Sequence, residues 1–507
     1  MELSFIGYEA FSLVLLLFIS MIWYIQHRKE VLTQWPLLGS FPSLLHHIHH
    51  VNEWSVEVFL KHCTGSVVLK GPIYSKLEYL ATCHPNNLEY MLKSNFVNYP
   101  KGPDYKEKLD ILGDGIFNID FGLWLEQRKI AHSCFRSYDF RSFIADTNRK
   151  VIGDKLVPLV AHMARQGCTF DLQDLFLRFT FDTIMIILFG RDPECVSLKF
   201  HPNKYAQAMD DALEAALYRF AMPNSLWKFM RLLKIGTEKK LADAWETLDL
   251  MMSESISLTR EDILKGVEGH NLLYMYLKSQ RVERNDLSKS GEKFVRDNML
   301  NFIFAGRDTT ASGLSWFFWL VAKHPHVEAK ILQELRLACM KKVRNKWPCV
   351  FDSDDLRSLT YLHAAVCESL RLYPPLPLNS KGAVKEEILP DGSITRPGMQ
   401  IILCFYAVAR MPWVWGDDCS EFKPERWISE DGTLDNQQMS KFFTFSLGPR
   451  TCIGKETAIN QIKLTAAALL YNFHVQVLDS QSVSIKPSLV LHMKNGLLVN
   501  IKERVNW

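Results

Sequence analysis

The chain has 507 residues and a mass of 58.6 kDa, which exceeds a typical single domain and predicts either more than one core or one large fold. Its 59 basic and 56 acidic residues leave a net charge of +3, a balance that argues against a nucleic-acid-binding protein. The eleven cysteines are irregularly spaced without a CxxC pair, so they indicate neither a zinc site nor a disulfide framework and fit a domain that faces the cytosol.

The N-terminus differs in composition from the rest of the chain. Residues 3–25, LSFIGYEAFSLVLLLFISMIWYI, carry a single charge at Glu9, and about 20 apolar residues suffice to cross a bilayer. The basic run HRK at 27–29 predicts, by the positive-inside rule, that the body stays in the cytosol. The alternative, a cleaved signal peptide, would need a basic n-region and a small-residue cleavage site, and we find neither. We therefore predict a single-pass transmembrane anchor at residues 1–30 and a folded domain at residues 31–507.

Beyond the anchor, the hydrophobic pattern predicts a mainly α body with a small β part. The predicted elements are, in chain order, a turn-rich lead at 35–42, strands at 66–71 and 77–82, helices at 139–165, 171–190 and 204–220, a polar connector at 280–293, long helices at 294–322 and 326–341, short strands after 380 and one last helix after Cys452. The run HHIHH at 46–50 is interpreted as a solvated helix surface rather than a metal site.

One cysteine stands in a frame that suggests chemistry. In FTFSLGPRTCIGKE, residues 443–456, Cys452 follows Phe445, Gly448 and Arg450 and precedes Gly454. Glycines let a backbone approach a flat ligand, and a sulfur just before a helix meets the positive end of its dipole, which favours thiolate. The guanidinium group of an arginine can donate two parallel hydrogen bonds to a carboxylate. A thiolate next to such an arginine is an arrangement that fits haem. The alternative is that Cys452, like most lone buried cysteines, is a small, unreactive apolar residue.

The segment AGRDTT at 305–310 lies in the predicted long central helix. Ala305 and Gly306 are small, so a planar cofactor can lie against the helix there. The hydroxyls that follow compete for backbone carbonyls, so we expect a kink that holds a water molecule on the distal side of the cofactor. The acid and alcohol of Asp308 and Thr309 can then relay protons. The alternative interpretation is a polar stripe in a buried helix.

Two further pairs of residues lie at helical spacing. Glu368 and Arg371 are three residues apart on one helical face, where such a pair is ordinarily a surface ion pair of little consequence. Trp124 and Arg128 are four residues apart on one face, from which both can reach a haem propionate. The alternative for the second pair is a tryptophan packed under an arginine stem.

These segments resemble the cytochrome P-450 superfamily of haem-thiolate monooxygenases. Along the chain they occur in the family's order, and together they cover nearly its whole length. The Cys452 frame resembles its haem signature, AGRDTT its oxygen-activation motif, ESLR (368–371) its ExxR pair, PERW (424–427) its PERF-type segment and WLEQR (124–128) its propionate contact. The resemblance implies the cytochrome P-450 fold, haem b (iron protoporphyrin IX) ligated by Cys452, and a buried structural network of Glu368, Arg371 and Arg426. LNSK (378–381) matches only loosely, so the resemblance does not establish Lys381 as a further propionate partner.

The resemblance also implies an electron donor. Because the chain has no flavin or NAD fingerprint of its own, electrons are expected from NADPH through the flavins of a membrane-bound NADPH-cytochrome reductase. Basic residues near the thiolate face are candidates for receiving this partner, with a solvated charged surface as the alternative: Arg128, Lys129, Lys441 and Lys455. Together with the anchor, the resemblance implies an endoplasmic reticulum membrane protein whose catalytic domain faces the cytosol.

Segments at 94–120, 189–198 and 317–331 narrow the resemblance to a plant branch that oxidises fatty acids, alkanes and other long chains, closest to its midchain alkane hydroxylases. This implies hydroxylation of small, long-chain apolar substrates. The positions expected to line the distal pocket are all apolar: Phe117, Phe302, Ala305, Leu376, Leu378 and Leu489. One alternative is a fatty acid ω-hydroxylase, with Arg219 holding the carboxylate unless it is a surface helix residue. Oxidative coupling of a phenolic or alkaloid substrate, and a haem protein without catalysis, also remain open.

Overall fold

Helices make up most of the computed structural model, which describes residues 30–504 apart from 63, 74–76, 285–288 and 342–347. The α-helices are, in chain order, α1 (Phe41–His47), α2 (Val51–His62), α3 (Pro85–Glu89), α4 (Gly102–Lys108), α5 (Phe121–Arg136), α6 (Tyr138–Lys150), α7 (Val157–Gln166), α8 (Leu172–Phe189), α9 (Lys204–Ala221), α10 (Asn224–Leu233), α11 (Gly236–Leu264), α12 (Leu272–Arg284), α13 (Lys289–Lys323), α14 (Pro325–Lys341), α15 (Thr360–Leu372), α16 (Phe405–Val408), α17 (Pro412–Trp415), α18 (Asn436–Ser440) and α19 (Lys455–Asn472). Shorter 3-10 and π-helical stretches lie at Ile48–His50, Tyr90–Ser94, Phe96–Asn98, Asp110–Leu112, Val151–Leu156, Asp355–Ser358, Pro424–Trp427 and Gly448–Arg450.

The strands form three small sheets. They are β1 (Ser66–Lys70), β2 (Glu78–Thr82), β3 (Phe170–Asp171), β4 (Leu378–Gly382), β5 (Glu387–Ile388), β6 (Ile394–Thr395), β7 (Gln400–Cys404), β8 (Phe473–Val477) and β9 (Leu498–Glu503). The largest sheet has the order β1-β2-β7-β4, with β2 and β7 parallel and the other pairs antiparallel. β3, β9 and β8 form a second, antiparallel sheet, and β5 pairs with β6. The predicted mainly α architecture with a small β part is confirmed.

Local sequence sets the ends of the helices around the centre of the molecule. Asp171 caps α8 by accepting a hydrogen bond from the N–H of Gln173, and Gly190 ends this helix with a φ of +69°. Asn203 caps α9 by accepting from the N–H of Tyr205. Such caps satisfy amides that the first turn leaves unpaired, and glycine adopts the left-handed conformation without strain. The helix predictions for these two segments are therefore confirmed.

Two hydrophobic clusters meet along α13. Its first half, from Val295 to Phe304, packs in a cluster with α5, α9, α11 and α12, and its second half packs with the start of α8, with α15 and with α19. Residues 305–310 lie between the two clusters. The loop before α19 spans the same boundary, because Phe445 packs against the second cluster and Ile453 against the first. The two segments with distinctive chemistry therefore meet at the junction of two cores.

Two element predictions are wrong in detail. In the predicted connector at 280–293, the described residues are helical, because α12 continues to Arg284 and α13 begins at Lys289, while 285–288 lie outside the described residues. Gln, Arg, Glu and Lys are good helix formers, so a polar stretch does not by itself end a helix. The single helix predicted at 139–165 is divided into α6, a π-helical stretch and α7.

The histidine run occupies the end of α1 and the 3-10 turn that follows. His46 and His49 are exposed, and the ring of His47 stacks on Trp54 with 5.0 Å between centroids. Among the described residues, no group of three His, Cys, Asp or Glu side chains is arranged to hold a metal ion. This segment is the helix surface that we expected.

The anchor predicted at residues 3–25 lies outside the described residues. Within residues 30–504, gaps excepted, no helix is both long enough and apolar enough to span a bilayer.

Candidate active site

The loop before α19 fixes the position of Cys452. The N–H of Cys452 donates to the carbonyl of Phe445 at 2.9 Å, and Thr451 donates through its N–H and its hydroxyl to the carbonyl of Gly448 at 3.0 and 2.7 Å. Gly448 has a φ of +66°, and a Cβ there would lie 2.1 Å from the carbonyl oxygen of Leu92. Glycine is thus required at 448 because two stretches of protein backbone approach closely, and not for the approach to a ligand that the sequence suggested.

The Cys452 thiol faces an interior space. The residue is exposed, yet the protein surrounds it so closely that burial raises the pKa of the thiol. The N–H of Gly454, Arg128 and Lys455 each lower this pKa without outweighing burial. The helix start therefore favours thiolate, as expected, but less than burial opposes it, and a coordinating metal ion would favour thiolate further. A Cβ at Gly454 would meet no described atom within 4 Å, which leaves room beside the sulfur.

Two arginines stand beside this loop. Arg128 of α5 donates to the carbonyl of Thr451 at 2.5 Å. Arg450 donates to Asp120 Oδ1 at 2.7 Å, and its guanidinium lies 4.7 Å from the ring centroid of Trp124. Trp124 therefore packs under an arginine, as the alternative interpretation held, although that arginine is Arg450 and not Arg128. The segment that carries the thiol thus holds the guanidinium of Arg128, while Ile119 and Asp120 at the start of α5 hold that of Arg450.

Two lysines complete a cationic cluster, which we define as Lys101, Arg128, Lys381 and Arg450. Lys101 donates to Asn379 Oδ1 at 2.6 Å, and Lys381 of β4 is only 1% exposed. Burial and repulsion from Arg450 lower the pKa of Lys381 to about 7. Burial, followed by repulsion from Lys381 and Arg450, holds the pKa of Lys101 well below its ordinary value. The described residues around this cluster therefore do not fully stabilise the positive charge of its four side chains.

The cationic cluster and Cys452 together fit haem. Among the residues that the structure describes, no hydrogen-bond partner faces Arg128 Nε, Arg450 Nε or Lys381 Nζ, although all three atoms are buried. Unpaired buried donors of this kind are costly, and the cations face a single close carboxylate, that of Asp120. A ligand with two carboxylates and a metal ion that takes a thiolate would satisfy both parts of the site. Lys381, whose strand matches the family only loosely, belongs to this cluster.

A buried ionic network lies behind the Cys452 loop. Arg371 donates to both carboxylate oxygens of Glu368, at 2.7 and 2.8 Å, and to the carbonyl of Cys419 at 2.8 Å. Arg426 donates to Glu368 Oε1 at 3.4 Å, and the indole of Trp427 donates to Oε2 at 2.8 Å. Glu368 and Arg371 are fully buried, so they do not form the ordinary surface pair. The network ties α15 to the chain that leads into the Cys452 loop.

The central helix differs from expectation at two points. The hydroxyl of Thr309 donates to the carbonyl of Ala305 at 2.6 Å, so the side chain does compete for a helix carbonyl. However, α13 remains an unbroken helix from Lys289 to Lys323, so the expected kink does not interrupt it. A Cβ at Gly306 would lie 2.4 Å from Ile184 Cδ1. The small size of Gly306 therefore serves the packing of α13 against α8 and not the approach of a cofactor.

Asp308 is fully buried and turned towards charged partners. Its Oδ1 lies 2.9 Å from Arg307 Nη1 and 3.4 Å from Nε2 of His492. The same Nη1 of Arg307 lies 2.8 Å from a carboxylate oxygen of Asp210 in α9. Burial alone would raise the pKa of Asp308, but Arg307 and His492 lower it below the ordinary value. Because Thr309 donates its proton to a backbone carbonyl, Asp308 and Thr309 are not bonded to each other directly. A proton passing between them needs an intervening water molecule.

The six apolar pocket positions do not behave alike. Phe117 and Leu376 are exposed, while Ala305, Leu378 and Leu489 are half-buried. Phe302 is buried, and its ring packs on Phe135 and Tyr276 with centroids 5.9 and 6.2 Å apart. The ring of Phe302 thus packs between α5, α12 and α13, and its place in the pocket lining stays a prediction.

Arg219 is neither a surface residue nor a free carboxylate anchor. It is 1% exposed and donates to both oxygens of Glu238, at 2.7 and 2.6 Å, and to Asp110 Oδ1 at 2.8 Å. Burial opposes its charge, but Glu238 and Asp110 outweigh that effect and raise the pKa of Arg219. Both sequence interpretations of this residue are therefore wrong, because its partners lie on segments far away in the chain.

The residues predicted to receive the reductase divide into two kinds. Lys129 and Lys455 are exposed. Lys441 is half-buried and donates to the carbonyl of Val414 at 3.2 Å, while Arg128 turns inward to the Cys452 loop. Arg128 is therefore not available to a protein partner, which corrects that prediction.

Sequence reasoning missed several residues of the site. Lys101 and Asp120 lie in the segment 94–120, which was used only to narrow the resemblance, and His492 lies in no motif that we recognised; each meets its partners across more than one element. The one local signal was the isolated Asp120 at the start of α5, where a carboxylate is also favourable for the helix dipole. No spacing rule connects Lys101 or His492 to the segments that they contact.

The cysteine loop before α19, the buried cations that lack carboxylate partners and the helical fold define a haem-thiolate protein. The cytochrome P-450 family profile matches residues 32–500, so the chain belongs to the cytochrome P-450 family. It is accordingly a haem b monooxygenase, and enzymes of this family generally take their electrons from an NADPH-dependent reductase.

Particular relatives come from plants and differ in their names. The chain is 38% identical to alkane hydroxylase MAH1 of Arabidopsis thaliana over 481 residues, covering 94% of each chain. It is 36% identical to noroxomaritidine synthase 1 of Narcissus pseudonarcissus, covering 93% of this chain and 91% of that protein. In fold it is similar to the crystal structure of the cytochrome P-450DA haem domain, with a TM-score of 0.76 and 20% identity over 93% of this chain and 97% of the other.

Proposed function

We propose that this monooxygenase hydroxylates long-chain apolar substrates in the manner of a midchain alkane hydroxylase. The observation that carries this proposal is the engagement of Arg219 by Glu238 and Asp110, because Arg219 was the candidate base named for a fatty acid ω-hydroxylase. The 38% identity to alkane hydroxylase MAH1 supports the same substrate class.

The residues of the site divide the work between holding the cofactor and handling protons. Cys452 would ligate the haem iron, with the cationic cluster on the propionates and Phe445, Gly448 and Gly454 shaping the loop around the sulfur. Haem b supplies the activation of dioxygen, so that one oxygen atom enters a C–H bond and the other leaves as water. Ala305 leaves space beside α13 on the distal side, and Asp308 and Thr309 hold and move protons there.

An apolar pocket gives this enzyme broad selectivity. Phe117, Leu376, Leu378 and Leu489 can contribute only burial, worth about 0.8 kcal/mol for each methylene group. Chain lengths that differ by one methylene are then distinguished by about 1–3 kcal/mol. The enzyme should accept a range of long chains and oxidise neighbouring carbon atoms.

Oxidative coupling of a phenolic or alkaloid substrate is the second candidate function. The observation that favours it is the 36% identity to noroxomaritidine synthases over most of the chain. Such a substrate would carry an amine or phenol, and specific binding would need a polar group in the pocket to pair with it. The four apolar positions named above provide none, so we place this function second.

The location of the protein follows from the same proposal. Residues 3–25 would anchor the chain in the endoplasmic reticulum membrane, with the catalytic domain in the cytosol beside its reductase. A long apolar substrate dissolves in membrane lipid, so an anchored enzyme meets it there.

A competition experiment tests the substrate class. Holoenzyme with its reductase is given an alkane, the fatty acid of equal length and a phenolic amine, and both the haem spin-state shift and product formation are measured. We expect the alkane to bind and turn over in preference to the acid. A strong preference for the acid would overturn the proposal, and turnover of the phenolic amine alone would establish the second candidate function.

A further inference from the structure

A histidine of the C-terminal loop is held against the central helix. His492 lies between β8 and β9, and the neighbouring carbonyl of Leu491 accepts hydrogen bonds from Ser312 Oγ and Trp316 Nε1, both at 2.7 Å. Both donors belong to α13 and are buried. The loop is therefore docked firmly, and the imidazole has a defined position one turn before these donors, beside Asp308.

The histidine and the aspartate form a pair with an unpaired atom at each end. Nε2 of His492 lies 3.4 Å from Asp308 Oδ1, and the two residues are 7% and 0% exposed. Among the described residues, neither ring nitrogen of His492 nor Oδ2 of Asp308 has a hydrogen-bond partner, so the 3.4 Å between Nε2 and Oδ1 is a charge contact and not a formed hydrogen bond. Buried polar atoms without partners are costly, and ordered water ordinarily satisfies them. The pair can therefore bind one water molecule at Nδ1 of His492 and another at Oδ2 of Asp308, so that it lies between the two.

The other charged neighbours of Asp308 cannot do this. Arg307 contacts Asp308 and is shared with Asp210 of α9, and Asp174 of α8 adds to the field at the guanidinium. Arginine does not release its proton in proteins, so Arg307 orients the carboxylate but transfers nothing. Imidazole, in contrast, takes up and releases protons near neutral pH. His492 is the neighbour with the chemistry of a proton donor.

We propose that His492 relays protons to Asp308 during turnover. The reaction consumes two electrons from NADPH, one dioxygen molecule and two protons. A proton from bulk solvent reaches Nδ1 of His492 through water, the Nε2 proton passes to Asp308 Oδ1 when the two atoms close from 3.4 Å to hydrogen-bond distance, and the carboxyl group releases one proton through water towards Thr309. Tautomer exchange of the imidazole through water restores the starting state. His492 touches no substrate and acts through Asp308, so it is a positioning residue, and the inference rests on the monooxygenase chemistry and not on the substrate class.

The variant His492→Gln tests the relay in the holoenzyme with its reductase. It keeps a hydrogen-bonding group but cannot be protonated. We expect product formed per NADPH oxidised to fall about tenfold, less than the loss of a direct general acid because water can substitute in part. Hydrogen peroxide should account for the missing electrons, and the solvent deuterium isotope effect should change.

Ser312→Ala is the matched control, because it weakens the docking of the same loop without removing a titratable group. It should keep coupling within about twofold of wild type, since Trp316 still holds the carbonyl of Leu491. Equal losses in His492→Gln and Ser312→Ala would overturn the proposal in favour of loop position. Unchanged coupling and isotope effect in His492→Gln, or in His492→Asn if the first variant does not fold, would also overturn it. Any substrate that is turned over serves, so failure with alkanes contradicts the proposed substrate class and not the relay.

Discussion

Replacing Arg219 by methionine tests the argument that this arginine belongs to the core and not to substrate binding. Its guanidinium makes contacts of 2.6 and 2.7 Å with Glu238 and one of 2.8 Å with Asp110. Removing it leaves Glu238, which is 3% exposed, as a buried carboxylate without its main partner. Breaking a buried pair in this way costs about 3–5 kcal/mol, so we expect the free energy of unfolding of Arg219→Met to fall by that amount.

Urea unfolding of the holoenzyme, followed by far-ultraviolet circular dichroism, measures the loss. The double variant Arg219→Met/Glu238→Leu should recover most of it, because replacing a whole buried pair by apolar residues is often close to neutral. Arg141→Met is the matched control at an exposed pair, since Arg141 and Glu456 have side chains that are 58% and 71% exposed. Its cost should stay below about 1 kcal/mol.

Ligand binding completes this test. Because Arg219 is fully engaged inside the protein, the double variant should show the same spin-state response to alkanes and to fatty acids as the wild type. Two results would refute the reasoning. One is a stability of Arg219→Met equal to that of the wild type, and the other is a selective loss of fatty acid binding in the stable double variant.

Four further predictions concern the cofactor, the protons and the anchor. Cys452→Ala should lose the red-shifted Soret band of the ferrous–CO complex, and retention of that band would contradict thiolate ligation. Thr309→Ala should keep its haem but divert electrons to peroxide, whereas unchanged coupling would remove Thr309 from the mechanism. Because the pKa of Lys381 is lowered from 10.5 to about 7, the unfolded chain binds more protons between these values, so the stability of the apoprotein should rise with pH across this window. Lys381→Met should reduce that rise in urea midpoints, leaving the part that Lys101 contributes, and speed the transfer of haem to apomyoglobin. In microsomes, protease added outside should digest the domain and leave a short fragment containing residues 3–25, and full protection of the domain would refute the orientation.

The motifs around the cofactor could be predicted because each depends on residues close together in the chain. The frame from Phe445 to Gly454 forms one loop and the first turn of one helix, and Glu368 and Arg371 share a helical face at a spacing of three. Helix ends behave in the same way, since Asp171 and Asn203 cap helices within three residues of themselves. Local backbone geometry alone decides these contacts.

Predictions failed where a residue's partner lies on a distant segment. Arg219 was expected either at the surface or at a ligand, but Glu238 and Asp110 reach it only after α9 packs against α11. Gly306 was expected to leave space for the cofactor, but the absence of a side chain there leaves space for Ile184 of α8. Periodicity shows which face of a helix is apolar, but it does not show which element will cover that face.

The sequence by itself determined the family, the candidate cysteine ligand and the mainly helical architecture, because these reside in short motifs and in hydrophobic periodicity. Only the tertiary structure decided which cations gather near the Cys452 loop, how Arg219 is neutralised and that His492 lies beside Asp308. Each of these depends on side chains from separate elements meeting in a low-dielectric interior, where a charge must find a partner. The identity of that partner is set by how the helices and loops pack and not by the residues on either side of the charge.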